Sequence, residues 1–333
     1  MSKFEKIGSL ALAVVLCMTM LVSCGDKEKN TAEPAEKKAS LSGDVKIVAA
    51  EGTAYASVSK LPGDYKVKKA KDTMEVKATI AKGDFDLAVL SPIEAARLFV
   101  QNDNFKVVTT VALGDYEVGA TGYVENEDEE PNISYLRGKR IYALDEEPEV
   151  TDSVTVTLPD AKDGEEELEI EAPLEMSEEV LRAVMADENI PLYSGSLDWQ
   201  NEDALKDIAT VSNIRILADG NTVKALEKDN EDFITLFDLG QMWNENFGGD
   251  IPGYVLVASD SFLKNRGKEI SVVLDDMADN LKEAQKATKD KLVVYDNSNR
   301  GLSLIKKFNE AMEENNIDAI GGEELPNSYY YSK

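Results

Sequence analysis

From Asp44 onward the hydrophobic positions of this chain alternate between two periods. Short runs rich in β-branched and small apolar residues, at 45–50, 85–90, 106–113, 120–124, 140–144, 214–218, 233–237 and 254–258, predict strands. The segments between them follow a helical period. Asp72-Thr73-Met74-Glu75 opens one helix and Gly83 stops it. Ser91-Pro92-Ile93-Glu94 opens the next: Ser91 is placed to accept from an amide of the first turn, Pro92 sits where no amide is needed, and Glu94 can reach back to the cap. Nearer the end, Ile270, Val273, Leu274, Met277 and Leu281 share one helical face, as do Leu302, Ile305, Phe308 and Met312, and both stripes are expected to face the core. Strands alternating with helices predict α/β architecture, and their number and spread predict two sheets.

Two stretches break this rhythm. In residues 146–171, Val154, Val156 and Leu158 alternate, a Pro159-Asp160-Ala161-Lys162-Asp163-Gly164 turn follows, and Leu168 and Ile170 alternate again, so a projecting β-hairpin is predicted. Its glutamates at 165, 166, 167, 169 and 171 suit a solvated face better than a cation cage, because a strand splays consecutive side chains to opposite sides. The acidic run 125–130, before Pro131, reads as a linker or hinge.

The first 23 residues are patterned differently. Lys3 and Lys6 precede an apolar stretch over 7–20, too short for a comfortable membrane span, and Leu21-Val22-Ser23-Cys24 follows. This ending resembles the lipobox of bacterial lipoprotein signal peptides, in which the cysteine is lipidated and becomes the new N-terminus; an uncleaved anchor helix is the alternative. Residues 24–43 hold almost nothing to bury and read as a flexible tether. Cys17 would be discarded with the leader, so lipidated Cys24 would leave no thiol for a disulfide.

Composition narrows the chemistry. The 333 residues include no histidine, which excludes Ser-His-Asp and Cys-His nucleophiles and imidazole metal sites. The net charge is −28, and loss of residues 1–23, with Lys3, Lys6 and Glu5, makes it −29. Such a charge disfavours nucleic acid and leaves membrane attachment to the lipid. There is no Walker A, no Gly-x-Gly-x-x-Gly after a strand and no Gly-x-Ser-x-Gly. Asp275-Asp276 and Glu323-Glu324 read as surface charge, Trp199 and Trp243 as core, and no role is assigned to Tyr329, Tyr330 and Tyr331. What remains is a repeated strand-to-turn arrangement, Glu51-Gly52-Thr53-Ala54-Tyr55 after the first strand and Ser91-Pro92-Ile93 after another. In open α/β sheets ligands are held at such carboxyl ends.

Lys46-Ile47-Val48-Ala49-Ala50 leading to Gly52-Thr53-Ala54, the segment from Ala81-Lys82-Gly83-Asp84-Phe85 to Leu90-Ser91-Pro92, and Leu136-Arg137-Gly138-Lys139-Arg140-Ile141 carry a family resemblance. With Asp238-Leu239-Gly240-Gln241-Met242-Trp243 and the ending from Leu325-Pro326 to Tyr329-Tyr330, the order of these segments resembles the nitrate/sulfonate/bicarbonate (taurine-type) substrate-binding lipoproteins of ABC transporters. The resemblance implies a two-lobed, type II periplasmic-binding-protein clamshell in which each lobe is a mainly parallel sheet flanked by helices. Lobe one would comprise 44–125 plus 252–333 and lobe two 126–251, with crossings near 124–132 and 248–253. It implies a monomeric, lipid-anchored, extracytoplasmic protein that captures a small polar solute, without cofactor, metal or catalysis, and hands it to ABC permease subunits. Ligand contacts would come from Gly52, Thr53, Ala54, Tyr55, Ser91 and Pro92, from Gly119 and Thr121 near a crossing, and from Leu174, Asp219 and Asn221 of lobe two. The acidic hairpin and Ala218-Asp219-Gly220-Asn221 depart from the family pattern on the ligand side of lobe two, so solute specificity does not carry over. A surface lipoprotein acting as sensor or adhesin through the hairpin is the alternative function.

Overall fold

A computed structural model describes residues 40–123, 131–144, 153–158, 167–196, 213–288, 293 and 300–332. The leader, Cys24, most of the tether, the acidic run 125–130, the hairpin turn and Trp199 lie outside the described residues. The strands are β1 (Val45–Ala50), β2 (Tyr65–Ala70), β3 (Leu87–Leu90), β4 (Phe105–Leu113), β5 (Tyr116–Thr121), β6 (Arg140–Leu144), β7 (Val154–Thr157), β8 (Glu167–Ile170), β9 (Tyr193–Ser196), β10 (Arg215–Asp219), β11 (Phe233–Asp238) and β12 (Pro252–Ser259). The α-helices described are α1 (Thr53–Val58), α2 (Thr73–Ala81), α3 (Pro92–Gln101), α4 (Met176–Asp187), α5 (Gly220–Asp229), α6 (Leu239–Asn246), α7 (Asp260–Arg266), α8 (Ile270–Asp279), α9 (Leu281–Thr288) and α10 (Arg300–Asn315).

Two five-stranded sheets result, in the orders β2-β1-β3-β12-β4 and β11-β5-β10-β6-β9. In the first, only β12 runs against its neighbours; in the second, only β5 does. The direction follows from how the chain changes sheets. It leaves β4 at its carboxyl end and enters β5 directly through Gly114 and Asp115, and it later enters β12 beside that same end, with Pro252 opposite Leu113. A strand entered from the carboxyl edge must run backwards. The first crossing therefore falls at Gly114-Asp115 rather than at 124–132, and the run expected at 120–124 is a strand that starts at Tyr116 and belongs to the second sheet. Buried Glu117 interrupts the apolar pattern there and hides the strand from a hydrophobicity reading. The second passage lies between α6 and β12.

Both faces of the first sheet are covered. On β1, Val48 and Ala50 face a core shared with Leu90, Phe105, Phe308 and Trp243, while Val45, Ile47 and Ala49 face Phe262, Val273 and Met277. The shared core continues into the second sheet through Val118, Leu217 and Val180, and Ile216, Ala218, Val223 and Phe233 fill that sheet's other face. The strand β2, absent from the hydrophobic reading, is an edge strand whose lysines 66, 68 and 69 leave only Tyr65 and Ala70 buried. The stripe expected to run through Leu281 ends at Asn280, which caps α8, and Leu281 begins α9. The C-terminal tyrosines finish the other edge of the first sheet. Tyr330 bridges Val107 on β4, the Tyr331 amide donates to the Val107 carbonyl at 2.9 Å, and buried Tyr329 packs edge-on against Phe99. An edge strand covered in this way is blocked from pairing with another chain.

The strands β7 and β8 pair antiparallel, with Val154 opposite Ile170 and Val156 opposite Leu168. The pair does not project. Val156 and Ile170 are buried against Met74 and Ala81 of α2, the helix beside the first sheet.

Candidate functional site

Because both passages between the sheets occur at carboxyl edges, those two edges lie on either side of the crossing. The strands of the crossing are packed closely: the Gly114 amide donates to the Ile251 carbonyl at 2.8 Å, and a Cβ on Gly253 would stand 2.8 Å from the Leu113 carbonyl carbon.

On the first sheet, β1 and β3 are parallel neighbours, with Ala49 opposite Val89, which sets the turns after them side by side. Gly52 has φ of 103° and ψ of −149°, a conformation open to glycine alone, and directs the chain from β1 into α1. Thr53 starts that helix, Ala54 is buried, and Tyr55 is half-buried with Lys69 Nζ 6.0 Å from its ring centroid. Lys69, which the sequence did not single out, is paired with Glu51 at 2.7 Å, and that hydrogen bond raises its pKa. Ser91 caps α3 by accepting from the Glu94 amide at 3.2 Å, and buried Pro92 occupies its first turn. Leu174, expected as a contact from lobe two, is tied instead to α3 beside the first sheet, where its amide donates to the buried Glu94 Oε1 at 2.9 Å.

On the second sheet the carboxyl edge is marked by Asp219, the N-cap of α5. Its carboxylate accepts from the amides of Asn221 and Thr222 at 3.0 and 3.1 Å and from Thr222 Oγ1 at 2.5 Å, and Asn221 is exposed beside it. The register sets Tyr116 opposite Asp219, so the residues of β5 that reach this edge are Tyr116 and Glu117. Gly119 and Thr121, predicted here, lie elsewhere. A Cβ on Gly119 would stand 2.4 Å from the Phe233 ring, inside the sheet, and Thr121 Oγ1 accepts from the Ile214 amide at the opposite edge. The resemblance expects both near a crossing, whereas β5 opens the second sheet and runs against β10, a reversal that no local sequence pattern carries.

Asp115, Glu117 and Asp238 crowd this second edge. Glu117 Oε1 pairs with Lys224 at 3.3 Å, and Glu117 Oε2 accepts from Thr235 Oγ1 at 3.4 Å. Burial raises the Glu117 carboxyl above its ordinary value, with Asp115 and Asp238 adding to the rise against the opposing pull of Lys224. Lys224 is in turn raised, chiefly by Glu117. A Cβ on Gly220 would meet Asp115 Oδ2 at 2.6 Å, which is why the chain turns into α5 at a glycine. Among the described residues no group of three acidic or thiol side chains is arranged to hold a metal ion.

No family model and no curated protein matches the sequence. Solved structures do match. An ABC transporter structure from Parabacteroides distasonis superposes with a TM-score of 0.56 at 13% identity, over 87% of this chain and 99% of that one. The chain has the fold of ABC-transporter substrate-binding proteins. The alkanesulfonate-binding protein SsuA from Xanthomonas axonopodis pv. citri, bound to MOPS, matches with a TM-score of 0.50 at 13% identity over 87% and 96% of the two chains. The periplasmic sulfonate-binding protein SsuA of Methylobacillus flagellatus matches with 0.50 at 12% identity over 85% and 80%. In this fold a crossing between two sheets, with strand ends turned toward it from both sides, is the frame on which the turns 52–55 and 91–92 and the acidic edge at 115–117 and 219–221 are carried.

Proposed function

We propose that this protein is the extracytoplasmic solute-binding component of an ABC importer, tethered through a lipid on Cys24, working as a monomer and delivering its solute to a permease. The observation that carries this reading is the double crossing at the carboxyl edges, which sets Gly52, Thr53, Tyr55, Ser91 and Pro92 on one side and Tyr116, Glu117, Asp219 and Asn221 on the other. Hinge closure would follow from contacts that a solute makes with both sides at once. Asp115, Glu117 and Asp238 against Lys224 make the second edge unfavourable for a free anion, so the solute class we propose is neutral, zwitterionic or cationic, unlike the sulfonates for which the two SsuA proteins are named. The alternative, a sensor or adhesin acting through the acidic hairpin, is favoured by no feature of the described hairpin strands, whose apolar side packs on α2.

The test is thermal unfolding of the lipid-free protein against amino acids, polyamines, pyrimidines, sulfonates, nitrate and divalent cations. A solute at about a hundred times its Kd stabilises the folded state by about 2.7 kcal/mol, a clear rise in midpoint. Stabilisation by one neutral or cationic class, lost when Tyr55→Ala and Asn221→Ala are introduced together, is the expected result. A sulfonate as the sole stabiliser would overturn the charge assignment, and a response unchanged in the double variant would overturn the site.

A further inference from the structure

The helix α2 has two apolar faces. Val76 and Ile80 enter the core under the first sheet, as a helix beside a sheet requires. Met74, Ala78 and Ala81, at helical spacing, form a second face, and Val156, Leu158, Leu168 and Ile170 of the hairpin arm cover it. Lys77 lies among them with its side chain only 1% exposed. Its ammonium donates to the carboxylate of Glu94 on α3, itself 2% exposed, and to the Glu171 carbonyl at 2.8 Å. Arg97, one turn further along α3, donates to Glu94 Oε1 at 2.9 Å and to the Ala172 carbonyl at 2.9 Å, and pairs with the Glu171 carboxylate. The Leu174 amide completes the shell of Glu94. Three charged side chains beside the first sheet thus grip the main chain of the arm just past β8, while the arm is covalently continuous with β6, a strand of the second sheet, and with α4, which packs on both β10 and α10.

We propose that the arm formed by β7, β8 and residues 171–174 is an interlobe strap that fixes the angle between the two sheets in the absence of solute. Swinging the lobes apart about the crossing would pull residues 171–174 from their partners. That would leave Glu94 and Lys77 short of hydrogen bonds in a poorly solvated place, where an unsatisfied charge is strongly disfavoured. Solute entry then proceeds with a small opening on the side away from the strap, a consequence that rests on the solute-binding reading although the strap itself does not.

The test uses the full chain without Cys17 and Cys24, carrying Lys60→Cys and Lys228→Cys. Both lysines are exposed, one following α1 and the other in α5, and both cysteines are spin-labelled for pulsed dipolar distance measurement with no solute added. The intact strap gives one narrow distance distribution. Arg97→Gln with Glu171→Gln, and separately Leu168→Ser, leave the buried Lys77–Glu94 pair in place and broaden the distribution toward longer distances, with circular dichroism checking the fold. A broad distribution with the strap intact, or folded variants that keep the narrow one, overturns the proposal. Should neither variant fold, the distribution of the intact protein decides alone. Because no solute enters the measurement, its outcome is independent of the thermal-unfolding panel.

Discussion

At the scale of single residues, the polar groups at the carboxyl edges are held by local backbone chemistry before any ligand is considered. Ser91 and Asp219, expected from the resemblance to contact ligand, are both helix caps whose side chains are engaged by amides of the following turn. Asp219→Ala is therefore expected to lower stability by about 1 kcal/mol in urea unfolding, through loss of the cap on α5. Asn221→Ala, whose side chain is exposed, leaves the unfolding midpoint in place. If both substitutions shifted stability equally, the capping assignment would fail. Asp115, Tyr116 and Glu117 reach the second edge beside Asp219, and the sequence carries no sign of it, because polar side chains at the start of a strand give no periodic signal.

At the scale of elements, the C-terminal helix shows how closely the parts of the first lobe are fitted. Gly301, in the first turn of α10, lies against β4: a Cβ there would stand 2.3 Å from Thr109 Oγ1 and 3.1 Å from the Thr110 amide nitrogen, and Thr110 Oγ1 donates to the Gly301 carbonyl at 3.0 Å. Alanine is the better helix former by about 1 kcal/mol, yet Gly301→Ala is expected to destabilise by about 1–3 kcal/mol because buried Thr109 cannot move aside. Adding Thr109→Ala should recover part of that loss, measured by the same unfolding curves; no recovery would mean that the strain lies elsewhere. The hairpin makes a related point. Its alternation is plain in the sequence, whereas its docking is not, because the matching surface, Met74 with Ala78 and Ala81 on α2, reads equally well as part of an ordinary amphipathic helix.

At the scale of the whole molecule, α4 and the C-terminal segment are joined by a titratable contact. Glu179 is buried at the start of α4 and accepts from Asn316 Nδ2 at 2.6 Å. Burial raises its carboxyl above the ordinary value, with the Asn316 hydrogen bond and Arg182 opposing. The folded state thus holds this proton more tightly than the unfolded state. The associated stability is complete below the unfolded carboxylate value of 4.5 and is lost as pH rises through the higher folded value. Glu179→Gln removes the titration and keeps the contact, so the difference in unfolding free energy should move in favour of the variant between about pH 4 and pH 7. A difference independent of pH would show that Glu179 titrates as an exposed carboxylate does.

The sequence by itself determined the α/β class, the caps of α2 and α3, most strand positions and the turns after β1 and β3, because each is written in the spacing of neighbouring residues. Val45, Ile47 and Ala49 alternate with Val48 and Ala50 wherever the strand is placed. Only the tertiary structure decided which sheet β5 joins, and hence that Gly119 and Thr121 lie away from the carboxyl edge that Tyr116 and Glu117 reach. It alone placed the arm against α2 and surrounded Glu94 with Lys77, Arg97 and Leu174, residues separated by as many as 97 positions. Strand pairing and burial of charge depend on which distant segments meet, and a local hydrophobic period carries no information about that meeting.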